Sequence, residues 1–413
     1  MIELTKFRVR DLGRVVTGKT PSTAVPENFG TDYPFLTPTD MHGTKWARAT
    51  ERGVSTVGAA TLRGQIPAGA VAISCIGWQM GKAILTDQAT YTNQQINSII
   101  PRAGFDAEYL YYYFATRREE LLSVGAAGGV RTPIISKSSF EALEVELPAL
   151  SVQRNIAGIL SAYDDLIENN TRRIAILEEM ARRIYEEWFV RFRFPGHDGE
   201  RMVESELGLV PEGWEVAELG QLAEVNARSV RRGAEPTEIR YVDISSVSTG
   251  SIDNKESMLF ADAPGRARRI VRDGDVIWAC VRPNRKSYSL VVDPEPNLLV
   301  STGFAVLSPI AAPSSFIYQC VTTDDFVSHL VNHAEGAAYP AVGAEDFATA
   351  KVLKPANDLV KAFDRIAGPM MRLVATLQVK NANLRTTRDL LLPKLISGEL
   401  DVSSLPEPES LAA

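Results

Sequence analysis

The sequence predicts an α+β protein: two β-rich α/β domains separated by two long antiparallel coiled-coil helices, related by a pseudo-two-fold internal repeat. Three observations predict it. A motif order recurs about two hundred residues further along, which is the spacing of duplicated domains and not of solenoid units. Within each copy short apolar runs give way to a helical period, and the apolar seam of that helical part is too narrow and too long for a helix lying on a sheet.

The repeat is anchored on particular residues. YLYYYF from Tyr109 matches FIYQCV from Phe316, Pro133 matches Pro340, Phe140 matches Phe347, and LPALS from Leu147 matches KPAND from Lys354, all at an offset of 207. Leu12-Gly13 matches Leu219-Gly220. PAGAVAISC, ending at Cys75, matches RDGDVIWAC, ending at Cys280, so small insertions and deletions fall in loops.

The first part of each copy carries runs such as GAVAISCIG, QINSII, GDVIWACV and GFAVLSPI between clusters of Gly, Pro, Asn and Asp. These predict strands and loops, with helices near Tyr109–Leu122 and Phe316–Val331. From Ser151, an N-cap after Pro148, the apolar positions Ile156, Leu160, Tyr163, Ile167, Ile174, Leu177, Ala181, Ile184 and Trp188 follow steps of four and three, interrupted by Asn170. The second copy repeats the seam at Phe363, Ala367, Met370, Val374, Leu377, Leu384, Leu391 and Leu395, with Asn381 and Arg388 as polar interruptions. Gly368-Pro369 is expected to kink or break the first turns, because proline has no amide hydrogen and crowds the previous turn. Paired antiparallel, two helices of about 40 residues span about 60 Å and hold the domains apart as two heads on a rigid spacer. The register sets Asn170 opposite Asn381, Trp188 beside Phe363, Ala181 beside Met370 and Ile156 beside Leu395. The resulting division is a first domain at 1–150, a central helix at 151–194, a linker and second domain at 195–356, a C-terminal helix at 357–400 and a flexible tail at 401–413.

Composition narrows the chemistry. With 413 residues and 45% hydrophobic content the chain can build several packed cores. No apolar run reaches the roughly eighteen residues of a membrane span and MIELTKFRVRDLG lacks the core of a signal peptide, so a cytoplasmic location without membrane contact is expected. Cys75, Cys280 and Cys320 lack CxxC spacing and read as reduced, buried residues. The net charge of -7 argues against bulk electrostatic nucleic-acid binding, yet residues 226–290 carry twelve Lys and Arg against eight Asp and Glu, enough for one basic face.

GRVVTGKT, from Gly13 to Thr20, fits the P-loop spacing G-x-x-x-x-G-K-[ST]. A phosphate-cradling loop requires a buried strand before it and a helix starting at its Lys-Thr. Here the preceding segment is charged and short, Pro21 and Pro26 follow, and the second copy, LGQLAEVNARS, has no such motif. A nucleotide hydrolase using Lys19 is therefore the disfavoured alternative, and a coiled-coil protein-interaction scaffold is the other. His329 and His333 are spaced for one helix face but lack a third metal ligand, and no metal site is expected. GAAGG at 125–129 reads as a loop, and no NPPF or DPPY signature of an adenine methyltransferase occurs. Asp164-Asp165, Glu178-Glu179 and Glu186-Glu187 are expected to form a solvated or partner-facing helix surface.

LGRVVTGKTPS near the start, LPALSVQRNIAGILSAYDDLIENNTRRIAILEEMARRIYEEWFVRF in the centre and LLPKLISGEL near the end, set in the order domain, helix, domain, helix, resemble the specificity (S) subunit of type I restriction-modification systems over almost the whole chain. The resemblance implies two target-recognition domains, each reading half of a bipartite asymmetric site in double-stranded DNA, and helices that fix the gap and dock two methyltransferase subunits. It implies a non-catalytic chain with no cofactor of its own; S-adenosylmethionine, ATP and magnesium would belong to the partner methyltransferase and restriction subunits. Residue chemistry then selects candidate DNA contacts, since Arg and Lys suit guanine or phosphate, Asn and Gln suit adenine, and Ser and Thr mostly hold the backbone. In the first head these are Thr17, Lys19, Thr20, Ser22, Gln79, Lys82, Asn93, Gln94, Gln95, Arg131 and Lys137. In the second they are Asn226, Arg228, Arg231, Arg232, Arg282, Asn284, Arg285, Lys286 and Tyr339.

Overall fold

A computed structural model describes residues 3–127 and 132–406. The chain divides into two compact units: Met1–Asn169 with Asn381–Ala413, and Asn170–Lys380. Each unit thus joins one β-rich head to a part of both long helices.

In the first unit an antiparallel four-stranded sheet runs in the order Gly13–Thr17, Ile96–Pro101, Val71–Ser74, Ala83–Leu85. A smaller sheet sets Phe29–Leu36 between Arg52–Val54, antiparallel, and Tyr91–Thr92, parallel. Thr5–Arg8 pairs with Glu144–Leu147 and ties the two ends of the head together. The second unit repeats this plan. Its four-stranded sheet runs Ala223–Val225, Phe304–Pro309, Val276–Ala279, Tyr288–Leu290. Glu238–Val242 lies between antiparallel Glu256–Leu259 and parallel Leu298–Ser301, with Ala267–Ile270 as an additional strand, and Glu215–Glu218 pairs with Lys351–Lys354.

The sequence explains the layering. Val71–Ser74 and Val276–Ala279 lack the polar alternation of a half-exposed strand, Ser74 being the one polar side chain in them, because both faces are covered and every residue is buried. In the first unit the covering helix is Ala107–Ala115, whose Tyr109 to Phe114 are all buried; in the second Ser314–Thr322 takes that place. The buried Trp278 indole donates to the Val321 carbonyl at 3.0 Å, satisfying a polar group inside the core.

The central helix spans Leu150–Tyr185 and starts one residue before the expected cap, with the Gln153 amide donating to Ala149 O at 3.0 Å. Its last turn widens to π geometry over Glu186–Val190, and Phe192, at φ 58, ends it. In the first unit Ile156 and Leu160 share a core with Leu395 and Ile396, and Asn381 Nδ2 donates to Ile167 O at 3.4 Å. In the second unit the Trp188 and Phe363 rings are 6.2 Å apart, and Ala181, Ala367 and Met370 lie in one cluster. In both units rising numbers on one helix meet falling numbers on the other, so the pairing is antiparallel. Asn170 and Asn381 are both buried.

Two expectations require correction. The C-terminal helix Asn357–Ile396 is unbroken at Gly368-Pro369. Pro369 lies on the exposed side, while Phe363, Ala367, Met371 and Val374 are buried along the other side, and that packing outweighs the proline cost of about 3 kcal/mol. Asp164 is not solvated: it is 8% exposed, accepts the Tyr112 hydroxyl at 2.6 Å and pairs with Arg388.

Candidate nucleic-acid interface

A hairpin turn stands at the same place in each head, between the third and fourth strands of the four-stranded sheet. In the first head Cys75 N donates to Gln95 O at 2.7 Å and Ile135 N to Cys75 O at 2.9 Å. In the second Cys280 N donates to Gly303 O at 2.8 Å and Val342 N to Cys280 O at 3.0 Å. The first residue of each turn is fastened to a neighbouring loop, Gly77 N to Pro133 O at 2.9 Å and Arg282 N to Pro340 O at 2.7 Å. Burial pushes the Cys75 and Cys280 thiols at the base of these turns up to about 11, so both stay protonated and chemically quiet.

Around the first turn the structure gathers several candidates. Thr17 Oγ1 donates to Asn97 Oδ1 at 2.6 Å, Thr20 Oγ1 to Gln94 Oε1 at 2.7 Å, and Lys19 N to Thr92 O at 2.9 Å. Asn93 Nδ2 donates to Gln95 Oε1 at 3.0 Å. The segment 17–20 therefore lies against 92–97, which is in turn bonded to the hairpin base. Gln79 Oε1 accepts from Lys82 Nζ at 2.8 Å on the turn itself. Ser22 is exposed and its carbonyl accepts from Asn28 Nδ2 at 3.0 Å; Lys137 opens a short helix and lies 3.6 Å from Glu141. Arg131 lies outside the described residues, as do positions 128 and 129 of the glycine-rich GAAGG.

This geometry also disposes of the P-loop spacing. Gly13–Thr17 is itself a strand, no helix starts at Lys19, and a Cβ on Gly18 would lie 2.2 Å from Thr92 O. That glycine serves strand-to-loop packing.

The second head sorts its candidates differently. Asn226, at φ 59, exchanges hydrogen bonds with the Val306 backbone at 2.7 and 3.0 Å. Arg228 donates to the buried Asp275 at 2.7 Å and to Ser308 Oγ at 2.9 Å. Both side chains are thus engaged in holding the fold. Arg231 and Arg232 are exposed in the loop before Glu238–Val242. Arg282 Nη2 donates to Ala338 O at 3.3 Å, and its guanidinium sits 4.6 Å from the ring centre of Tyr339, which is 68% exposed. Lys286 Nζ donates to Asp324 at 2.7 Å. Asn284 and Arg285 are exposed at the tip, and among the described residues neither side chain has a hydrogen-bond partner.

Residue typing missed Trp78, which is 75% exposed on the first turn and whose carbonyl accepts from Arg118 Nη2 at 3.2 Å. Its signal was present: a large aromatic between Gly77 and Gly81 has no strand or helix to pack into. His329 and His333 bond backbone carbonyls at 3.2 and 2.8 Å, and among the described residues no group of three or more His, Cys, Asp or Glu could hold a metal ion. No described helix is long and apolar enough to cross a membrane. What the turns offer is carboxamides, guanidinium groups and exposed aromatic rings on a fastened backbone, which suits hydrogen bonding to base edges and phosphates.

Comparison with known proteins agrees with that chemistry. The family model described as a type I restriction modification DNA specificity domain matches residues 1–179. The specificity subunit of the type I restriction enzyme MjaIX of Methanocaldococcus jannaschii is 26% identical over 408 residues, 96% of this chain and 94% of that protein. That of HindI of Haemophilus influenzae is 35% identical over 166 residues, 38% of this chain and 36% of that protein. In fold, a solved type I restriction-modification S subunit from M. genitalium superposes with a TM-score of 0.64 at 15% identity, covering 95% of this chain and 96% of that one. The chain is thus similar over almost its whole length to a type I restriction enzyme specificity subunit, and it shares the fold of a solved S subunit.

Proposed function

We propose that this chain is the non-catalytic DNA-recognition subunit of a type I restriction-modification complex, each head reading one half of a bipartite, asymmetric target. DNA sequence recognition is supported by the match of residues 1–179 to a DNA specificity domain and by the full-length similarity to a type I specificity subunit. The observation that carries the finer reading is that the two heads share their strand orders while presenting different side chains on corresponding turns, as two readers of two different half-sites should. The unbroken helices of 36 and 40 residues fix the gap between half-sites and dock two methyltransferase subunits. Methylation with S-adenosylmethionine, and ATP- and magnesium-dependent cleavage, are carried out by the partner methyltransferase and restriction subunits. Those neighbours supply part of the basic track along the phosphates, which accommodates the net charge of -7.

The test is selection from randomised DNA by the chain assembled with its methyltransferase subunits. Two short conserved blocks at one fixed separation are expected. Adding one heptad at matching places in both helices lengthens the spacer by about 10 Å, the rise of about three base pairs, so the gap should grow while both blocks stay the same. A complex that selects no sequence, or blocks at variable separation, would overturn the reading.

A further inference from the structure

We propose that the turns Gly77–Gly81 and Arg282–Lys286 are one base-reading device used twice, and that Gln79 and Asn284, at corresponding positions, each read a single adenine in their own half-site. The proposal rests on the DNA-recognition role above and deepens it. Correspondence is set by the backbone. Besides the matched bonds at the base and at the first residue, both ends of each turn are left-handed: Gly77 at φ 80 matches Arg282 at φ 53, and Gly81 at φ 81 matches Lys286 at φ 54. Each turn closes on itself in the same way, Met80 N to Gly77 O at 3.1 Å and Arg285 N to Arg282 O at 2.9 Å.

Glycine carries a left-handed backbone without steric cost, whereas arginine and lysine do not. The second head nevertheless keeps the shape, because both strained residues are anchored through their side chains, Arg282 on Tyr339 and the Ala338 carbonyl and Lys286 on Asp324. A strained conformation held by extra contacts marks a shape worth keeping, and such strain concentrates at functional sites. Inside this common frame the neighbouring positions share no chemistry. Trp78 is exposed where Pro283 is buried, and Met80 is buried where Arg285 is exposed. The middle position alone carries the same group in both heads, the carboxamide of Gln79 and of Asn284. A carboxamide presents one donor and one acceptor in a plane, the complement of adenine N7 and N6 in the major groove. Asn284 is free to do so. Gln79 keeps its amide donors and one oxygen lone pair after accepting from Lys82 at 2.8 Å.

The test compares base preferences of the assembled complex carrying wild-type chain, Gln79→Ala or Asn284→Ala, selected from randomised DNA. Each variant should lose its preference for one A·T pair by about tenfold or more, in one half-site only, and the two variants should affect opposite half-sites. The untouched half-site reports that the variant folds. Equal weakening on all sequences, lost preference at a G·C pair, a half-site without adenine, or unchanged preferences would each overturn the assignment. A wild-type complex that selects no sequence would instead overturn the family-level reading.

Discussion

Arg388 of the C-terminal helix donates to the buried carboxylate of Asp164 on the central helix, which also accepts the Tyr112 hydroxyl at 2.6 Å. Burial is the largest single effect and opposes the arginine charge, but the hydrogen bonds and charges of Asp164 and Asp389 together outweigh it and hold Arg388 above its ordinary value. Removing one partner strands the other. Arg388→Ala should destabilise the first unit by about 3–5 kcal/mol, whereas replacing both residues by apolar ones, Asp164→Leu with Arg388→Met, should cost much less. Denaturant unfolding of the full chain, followed by a probe in the first unit, measures both; equal losses from the single and double replacement would contradict the paired role.

The first hairpin gives a graded test of backbone strain. Gly77→Ala meets nothing within 4 Å, so it should cost only the left-handed penalty of about 1–2 kcal/mol. Gly81→Ala adds a Cβ 2.7 Å from Arg118 Cα and should lose a further 1–3 kcal/mol or so from the forced shift. Thermal unfolding of the two variants side by side should rank Gly81→Ala as the worse; the reverse order would mean the turn relaxes freely.

The thiols of Cys75 and Cys320 are buried and pushed up to about 11 by that burial. A disulfide-exchange reagent at pH 8 should leave both unreacted in the native chain and titrate them on unfolding. Fast reaction of Cys320 under native conditions would show that the core around it opens.

Arg372 donates to Asp273 at 2.6 Å, and this bond holds the Asp273 carboxyl below its ordinary value against the opposing effect of burial. A depressed carboxylate contributes stability above its unfolded value and loses it as pH falls through the folded one. Both groups are about half exposed, so Asp273→Asn should cost less than about 1 kcal/mol at pH 7. The difference should vanish once acid has protonated Asp273 in both states. Paired unfolding curves followed from pH 7 down through the acid range check it, and a difference that stays constant all the way to acid unfolding would remove the charge from the explanation.

The seam of the long helices was legible because repetition amplifies it: Leu160, Ala181, Phe363 and Leu377 recur in steps that only a paired helix satisfies, and all four are buried. Asp164 was misread because its partner lies 224 residues further on; nothing local separates a buried carboxylate from a solvated one. Pro369 was misread for a related reason, since local propensity says nothing of the packing on the opposite face. The candidate interface was legible as chemistry and not as geometry. Gln79 and Asn284 could be picked out by residue type, and each stands four residues after its matched cysteine, Cys75 or Cys280; what the sequence hides is the shared turn shape, because one head builds it with Gly77 and Gly81 and the other with Arg282 and Lys286. Arg228 shows the converse, a basic loop residue spent on the internal Asp275.

The first unit is completed by residues after 380, with Asn155 Nδ2 reaching the carbonyls of Val402 and Leu405, whereas the second unit is one contiguous stretch. During synthesis the ribosome must therefore add all of Asn170–Lys380, at 5–20 residues per second a wait of roughly ten to forty seconds, before the earlier-made head can close its core. The part of the chain made second can mature first, and the early portion spends that interval with apolar surface such as Ile156 and Leu160 uncovered, making it the stretch where chaperone capture or premature proteolysis would act during biogenesis.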